Sequence, residues 1–256
     1  MTFSEGETVY LADGSGKRVW LRVSYEMLKV ASLGTVDGSR FKDLDDGSRI
    51  SIVGKEYVVF RPGAMELMES LERGAQIITP KDAATILFNC CIKSGDTVLE
   101  VGAGSGGLTT ALLSAVAPAG SVHTLELKED NAKLALKNVR RTGLDGRWAY
   151  TIGDARHAKV DLTADALVMD MPDPWLALEN LYGNLRPGGR VCAYVPNMNQ
   201  AEATVAALRN KGFAEVYALE NIQRGLEVHP GGVRPSFETL GHTGYLIFGR
   251  KASGGA

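Results

Sequence analysis

Cysteine is scarce in this chain of 256 residues: Cys90, Cys91 and Cys192 are the only three, and they make no C-x-x-C pair. That excludes a framework of bridges and fits buried thiols in a reducing cytoplasm. No long uncharged apolar run occurs, so no membrane-spanning helix is expected. The opening Met1-Thr2-Phe3-Ser4-Glu5-Gly6-Glu7 is acidic and lacks the basic and apolar regions of a secretion signal. Positive charge is not in excess either. The formal net charge is −2, and residues 63–200 hold 13 basic and 16 acidic side chains, so composition alone does not point to a nucleic-acid partner. His123, His157, His229 and His242 show no ligand spacing, so no metal site is expected; His229 and His242 read as structural or substrate-contacting. A G-x-S-x-G elbow is also missing, because Ala103 stands where its first glycine would be.

What is present is an ordinary globular composition, 45% hydrophobic and 23% charged, long enough for an α/β domain with a small appendage. Residues 1–62 have strand texture. The β-rich runs Thr8–Leu11, Val19–Val23, Arg49–Val53 and Tyr57–Phe60 alternate with turn signals such as Asp13-Gly14-Ser15-Gly16 and Asp46-Gly47-Ser48. Arg61-Pro62-Gly63 marks a boundary, followed by a helical run from Ala64 to Arg73. Residues 1–62 are therefore expected to form a small β domain, and residues 63–256 a second domain.

From Thr79 the texture changes. Thr79 is placed to cap a helix with Pro80 at its first position, running through Ile92. Strands are expected at Thr97–Val101, Ser121–Glu126, Trp148–Ile152, Ala166–Asp170 and Arg190–Val195. Helices fall between and after them at Gly107–Val116, Glu129–Arg141, Pro174–Leu185 and Asn199–Lys211. Such alternation predicts a parallel sheet covered on both faces, with ligands bound at the carboxyl ends of its strands. Two further strands in succession, Glu215–Ile222 and Gly244–Phe248, predict an antiparallel ending. Such an ending is expected of a class I methyltransferase fold and not of the usual dinucleotide fold.

The segment Glu100-Val101-Gly102-Ala103-Gly104-Ser105-Gly106-Gly107 joins an apolar strand to a helix. Its glycines permit positive φ and close approach of the backbone to a ligand. Read as G-x-G-x-x-G it fits a dinucleotide; read as E-x-G-x-G-x-G it fits S-adenosylmethionine. Acids at three strand ends favour the second. Glu100 could help hold a cationic amino-acid end, directly or through water. Glu126 could accept from both ribose hydroxyls, and Asp154 from an adenine amino group. Asp170-Met171-Pro172-Asp173-Pro174-Trp175 then sets a carboxylate, two backbone-restricting prolines and a flat indole at the fourth strand end.

Together these segments resemble the tRNA (adenine-58-N1)-methyltransferase family, in its bacterial and archaeal single-polypeptide form. The resemblance rests on Gln76-Ile77-Ile78-Thr79-Pro80-Lys81-Asp82-Ala83, Glu100 to Gly107, Asp170 to Trp175, and Val195-Pro196-Asn197 with Gln200. Arg234-Pro235 and Gly241-His242-Thr243-Gly244-Tyr245-Leu246 complete it. It implies a seven-stranded Rossmann-like α/β fold with the last strand pair antiparallel, preceded by a small β domain. It implies methyl transfer from S-adenosylmethionine to N1 of an adenine in the T loop of tRNA by a cytoplasmic homotetramer. By position, Glu100, Gly102, Gly104, Ser105, Gly106, Gly107, Leu108, Glu126, Asn131, Asp154 and Ala155 would line the cofactor, with Asp170 both lining it and acting in catalysis. Thr79 departs from the aromatic that bacterial relatives often carry before Pro-Lys-Asp. Phosphate contacts are assigned to Lys17, Arg18, Arg22, Arg40 and Lys42. Two other readings stay open: a methyltransferase of a protein or small molecule, and a non-catalytic RNA-binding subunit.

Overall fold

The computed structural model describes residues 1–72, 74 and 78–254. The chain forms two compact units, Met1–Ser70 with Arg141–Gly143, and Leu71–Arg140 with Leu144–Ala256.

In the first unit, β1 (Thr8–Ala12), β2 (Arg18–Arg22), β5 (Arg49–Ile52) and β6 (Lys55–Phe60) build an antiparallel sheet in the order β2-β1-β6-β5. Alternation decides its inner face: Val9, Leu11, Ile50, Ile52, Tyr57 and Val59 are buried together with Phe3 and Phe41. The β1–β2 turn is made by Asp13, whose Oδ1 accepts from the Ser15 and Lys17 amides. A second hairpin, β3 (Met27–Val30) with β4 (Gly34–Asp37), was not expected: its strands are only four residues long, and just Val30 and Val36 are buried. The helix α1 (Ala64–Glu69) is shorter than the run to Arg73. Arg73 lies outside the described residues, as do Gln76 and Ile77 of the motif before Thr79.

In the second unit a seven-stranded sheet has the order β12-β15-β11-β10-β7-β8-β9. Its strands are β7 (Thr97–Val101), β8 (Ser121–Glu126), β9 (Trp148–Ile152), β10 (Ala164–Asp170), β11 (Leu185–Val195), β12 (Phe213–Glu220) and β15 (Tyr245–Lys251). Only β15 runs antiparallel to its neighbours β11 and β12, as a class I methyltransferase fold requires. The helices are α2 (Pro80–Asn89), α3 (Gly107–Val116), α4 (Glu129–Arg140), α5 (Pro174–Leu181) and α6 (Met198–Asn210). Helix α5 stops at Leu181 and not Leu185, because Tyr182–Asn184 tightens into a 3-10 turn. There the Asn184 amide donates to the carbonyls of Val160 and Leu162. Thr79 occupies the cap position of α2, but its hydroxyl donates to Asp82 Oδ2 instead of accepting from the helix amides. Inside the loop between β12 and β15 lies a hairpin, β13 (Leu226–His229) and β14 (Gly232–Pro235); its only sequence signal was Pro230-Gly231 at the turn.

Buried, near-continuous apolar runs on the central strands form the core, with Leu99 and Val101 of β7 against Leu167 and Met169 of β10 and Val191 and Val195 of β11. Strand order reverses between β7 and β10, so the crevice that such sheets reserve for ligands opens at Val101 and Asp170.

Candidate active site at the carboxyl ends of the strands

Beyond Val101 the chain turns sharply. Gly102 has φ +88°, and a β carbon there would overlap the Asp170 carbonyl, so glycine is required on both counts. The turn's amides are not left free. Glu126, at the end of β8, accepts through Oε2 from Ala103 N (2.9 Å) and Gly104 N (3.2 Å). Its Oε1 accepts from Lys128 N (2.8 Å) and Asn131 Nδ2 (3.3 Å). A carboxylate thus occupies the amide nest where a dinucleotide's pyrophosphate would have to sit.

Glu100 is fully buried. Its Oε2 accepts from the hydroxyls of Thr109 (2.8 Å) and Thr124 (2.5 Å), and Trp148 Nε1 in turn donates to Thr124. Its Oε1 has no hydrogen-bond partner among the described residues. Burial pushes this carboxyl up to about 8, against the two hydroxyl bonds, and the charges of Asp170 and Glu126 add to the rise.

The turn after β9 carries a different arrangement. Arg156 grips Asp154 through Nε to Oδ1 (2.9 Å) and Nη2 to Oδ2 (2.5 Å), and reaches Asp173 Oδ2 through Nη1 (3.1 Å). Those bonds hold the Asp154 carboxyl down at about 2. Asp170 has the opposite environment: burial, then the charge of Glu126, pushes it up to about 7.

These ends enclose a cavity of about 460 Å³, whose wall includes Gly102, Gly104, Glu126, Asn131, Asp154, Ala155 and Asp170. A second cavity of about 250 Å³ shares Asp170, Met171 and Pro172 with the first, and adds Ile78, Tyr194, Pro196, Gln200 and Thr243. Its far wall is tied down by Lys81, whose Nζ donates to Asp82 Oδ1 (2.7 Å), Asn221 O (2.6 Å) and Thr243 Oγ1 (2.7 Å). Tyr194 donates its hydroxyl to the Thr243 carbonyl (2.6 Å), and a β carbon on the adjoining Gly244 would overlap the Tyr194 ring. His242 bridges Glu220 Oε1 (2.6 Å) and the Pro196 carbonyl (2.8 Å); with an acceptor at each ring nitrogen its pKa is raised.

Not every residue assigned from sequence reaches a cavity. Glu100, Ser105, Gly106, Gly107 and Leu108 are buried and line neither. The Ser105 hydroxyl accepts from Gly74 N and its carbonyl from Asn138 Nδ2, so this end of the turn is fastened into the protein. Glu100 directs Oε2 at two threonines and reaches neither cavity in this structure, whereas it was expected to hold a ligand directly or through water. Arg156 and Tyr194 were missed by sequence reasoning. The acid–base spacing Asp154-x-Arg156 was the available signal for the first, and none marked the second.

The family described as the tRNA methyltransferase complex GCD14 subunit matches residues 59–232. A Methanocaldococcus jannaschii protein, tRNA (adenine(57)-N(1)/adenine(58)-N(1))-methyltransferase TrmI, is 33% identical over 94% of this chain and 93% of its own. The chain belongs to this tRNA methyltransferase family. A Thermus thermophilus tRNA (adenine(58)-N(1))-methyltransferase TrmI is 33% identical over 76% of this chain and 77% of its own. Among solved structures, Aquifex aeolicus tRNA (m1A58) methyltransferase TrmI superposes with a TM-score of 0.79 at 28% identity, covering 99% of this chain and 100% of that one. A Thermotoga maritima protein described as an S-adenosylmethionine-dependent O-methyltransferase gives 0.85 at 28%, covering 98% and 95%. The family match spans both the glycine turn and the Asp170 segment, and ends before Gly241-His242-Thr243-Gly244.

Proposed function

We propose that this chain transfers the methyl group of S-adenosylmethionine to N1 of adenine 58 in the T loop of tRNA. The observation that carries the reading is the position of Asp170, whose side is shared by two cavities of unequal size. The larger one suits the cofactor. Glu126, Asp154, Asp170 and Asp173 line it against Lys128 and Arg156, and the Arg156 guanidinium is already engaged by Asp154 and Asp173. Such a lining favours a cationic ligand and opposes an anionic pyrophosphate.

Glu126 and Asn131 would hold the ribose, and Asp154 with Ala155 the adenine of the cofactor. Glu100 and residues 105–108 would act from behind, by fixing the glycine turn. When bound, S-adenosylmethionine supplies an electrophilic methyl on its sulfonium. Adenine N1 carries its own lone pair, so no side chain has to generate the nucleophile; the protein has to align it. The smaller cavity would hold the target base, with Asp170 accepting from its N6 amino group. A carboxylate there also stabilises the positive charge that methylation leaves on the ring. Because N1 lies on the pairing edge, the nucleotide must first be drawn out of its tertiary pair.

In the first unit, the RNA-facing assignment has support of unequal strength. Arg18 is paired with Glu66 and Glu69, Arg22 donates to the Gly6 carbonyl, and Arg40 to the Ser51 carbonyl. We therefore place the phosphate contacts first on Lys17 and Lys42. A homotetramer is supported by the β13–β14 hairpin, which leaves Leu226, Val228 and Val233 more than 60% exposed. A two-stranded hairpin with apolar residues in water is marginal unless something covers it. A tRNA substrate supports a cytoplasmic location for the reaction. No helix among the described residues is long and apolar enough to cross a membrane.

The test is transfer of labelled methyl to total tRNA lacking the modification, with the product nucleoside identified and mapped to position 57 or 58. Label on adenine N1 supports the reading. Label on N6, or none on RNA, overturns it, and label on a hydroxyl acceptor would favour the O-methyltransferase described for the Thermotoga maritima relative.

A further inference from the structure

Gln200 stands on the third residue of α6 and belongs to the wall of the smaller cavity together with Asp170. Its side-chain amide has one orientation available. Nε2 donates to the Pro172 carbonyl at 2.7 Å, and exchanging the two ends would set two acceptors face to face. Oε1 is consequently the free end, and it is buried with no hydrogen-bond partner among the described residues. The backbone around it is pinned as well: Gln200 N donates to Asn197 Oδ1, and its carbonyl accepts from Thr204 Oγ1. An acceptor that is buried, oriented and unsatisfied is costly unless a donor arrives with the ligand.

We propose that Gln200 is a specificity-determining residue whose Oε1 accepts a hydrogen bond from the exocyclic amino group of the target adenine. This rests on the reading of the smaller cavity as the base site. An adenine N6 amino group has two N–H donors, enough for Asp170 and Gln200 together. Guanine presents O6 at the same place, which meets acceptors from both residues and is repelled. Rejection by unpaired acceptors is stronger than a fit of shape alone can provide. Pro172, which receives the other end of the amide, is shared with the cofactor cavity, so the same side chain selects the base and fixes the segment between the two ligands.

The test compares full-length tRNA carrying adenosine at the target with tRNA carrying purine ribonucleoside, which lacks the amino group. The enzymes are wild type, Gln200→Leu and Gln200→Glu, and the readout is the ratio of kcat/KM for the two substrates. In the wild type the ratio should exceed about 10. Gln200→Leu should shrink it by about five-fold, because one acceptor is gone. Gln200→Glu keeps an acceptor while losing the bond to Pro172, so its rates should fall for both substrates with the ratio preserved. A ratio unchanged in Gln200→Leu, with both rates reduced alike, would mean that Gln200 only supports the fold, and would overturn the proposal. Wild-type enzyme that fails to methylate adenine N1 at all would instead overturn the function proposed above.

Discussion

Gly102 passes so close to Asp170 that the two backbones leave no room for a β carbon between them. The glycine turn and the candidate catalytic carboxylate are therefore one mechanical unit. Gly102→Ala has to relieve that overlap at a φ of +88°, which an L side chain rarely adopts. The variant should lose at least about 1 kcal/mol of stability. It should also bind S-adenosylmethionine more weakly, as calorimetric titration and thermal unfolding would show. Unaltered affinity and melting temperature would contradict the arrangement.

Asp170→Ala should weaken cofactor binding far less than it lowers methylation of unmodified tRNA, which should fall by roughly 10²- to 10³-fold. With its carboxyl raised to about 7, the ionised form that accepts from an amino group gains population as pH rises through neutrality. The rate of the wild type under single-turnover conditions should thus climb across that range. In Asp170→Asn this limb should disappear. A wild-type profile that is flat between about pH 6 and 8 would argue against the role.

Glu100 makes a prediction about stability. Its carboxyl titrates from about 8 in the folded protein, against an ordinary value of 4.5. Below 4.5 both states hold the proton and nothing changes. Between those values the unfolded chain releases it while the folded one retains it, so stability falls as pH rises; above about 8 the loss is complete. Glu100→Gln keeps an acceptor for Thr109 and Thr124 and has no proton to lose. Its melting temperature should decline less between about pH 5 and pH 8 than that of the wild type, measured by scanning calorimetry without ligand.

Lys81 and Asp82 form a buried pair, with side chains only 10% and 0% exposed. Lys81→Met strands the Asp82 carboxylate and should cost about 3–5 kcal/mol. Adding Asp82→Asn should recover part of that loss. Denaturant midpoints of the two single variants and the double variant give the coupling directly, and strict additivity would show that the pair contributes little.

How much of this could be read from the sequence depends on range. The bounds of β7 and β8 were legible because buried parallel strands read as compact apolar runs between turn residues. Those of β9, an exposed edge strand, were legible because Trp148, Tyr150, Thr151 and Ile152 are strong strand formers. The acids at strand ends were legible too, since each lies within two residues of the end of such a run. Their directions were not. Whether Glu126 faces a ligand or the amides of Ala103 and Gly104 depends on how a turn 22 residues away is folded. Glu100 likewise finds Thr124 only when β7 and β8 lie side by side. The Pro-Lys-Asp and Gly-His-Thr-Gly segments were visible as separate marks, yet the bond that joins them, Lys81 to Thr243, spans 162 residues. The β3–β4 and β13–β14 hairpins escaped for another reason: all four strands are only four residues long, too short for the alternation in β3 to stand out, while β13 and β14 are largely exposed and have no buried face.

Asp170, Met171 and Pro172 stand between the two cavities as a party wall. Were one ligand to shift that segment, the wall of the other chamber would move with it, and the occupancies of the two would be thermodynamically linked. Whatever factor a bound cofactor applies to the affinity for tRNA, tRNA must apply to the affinity for the cofactor. After transfer the positive charge has crossed the wall, from the sulfonium side to the base side, with the Asp170 carboxylate facing both.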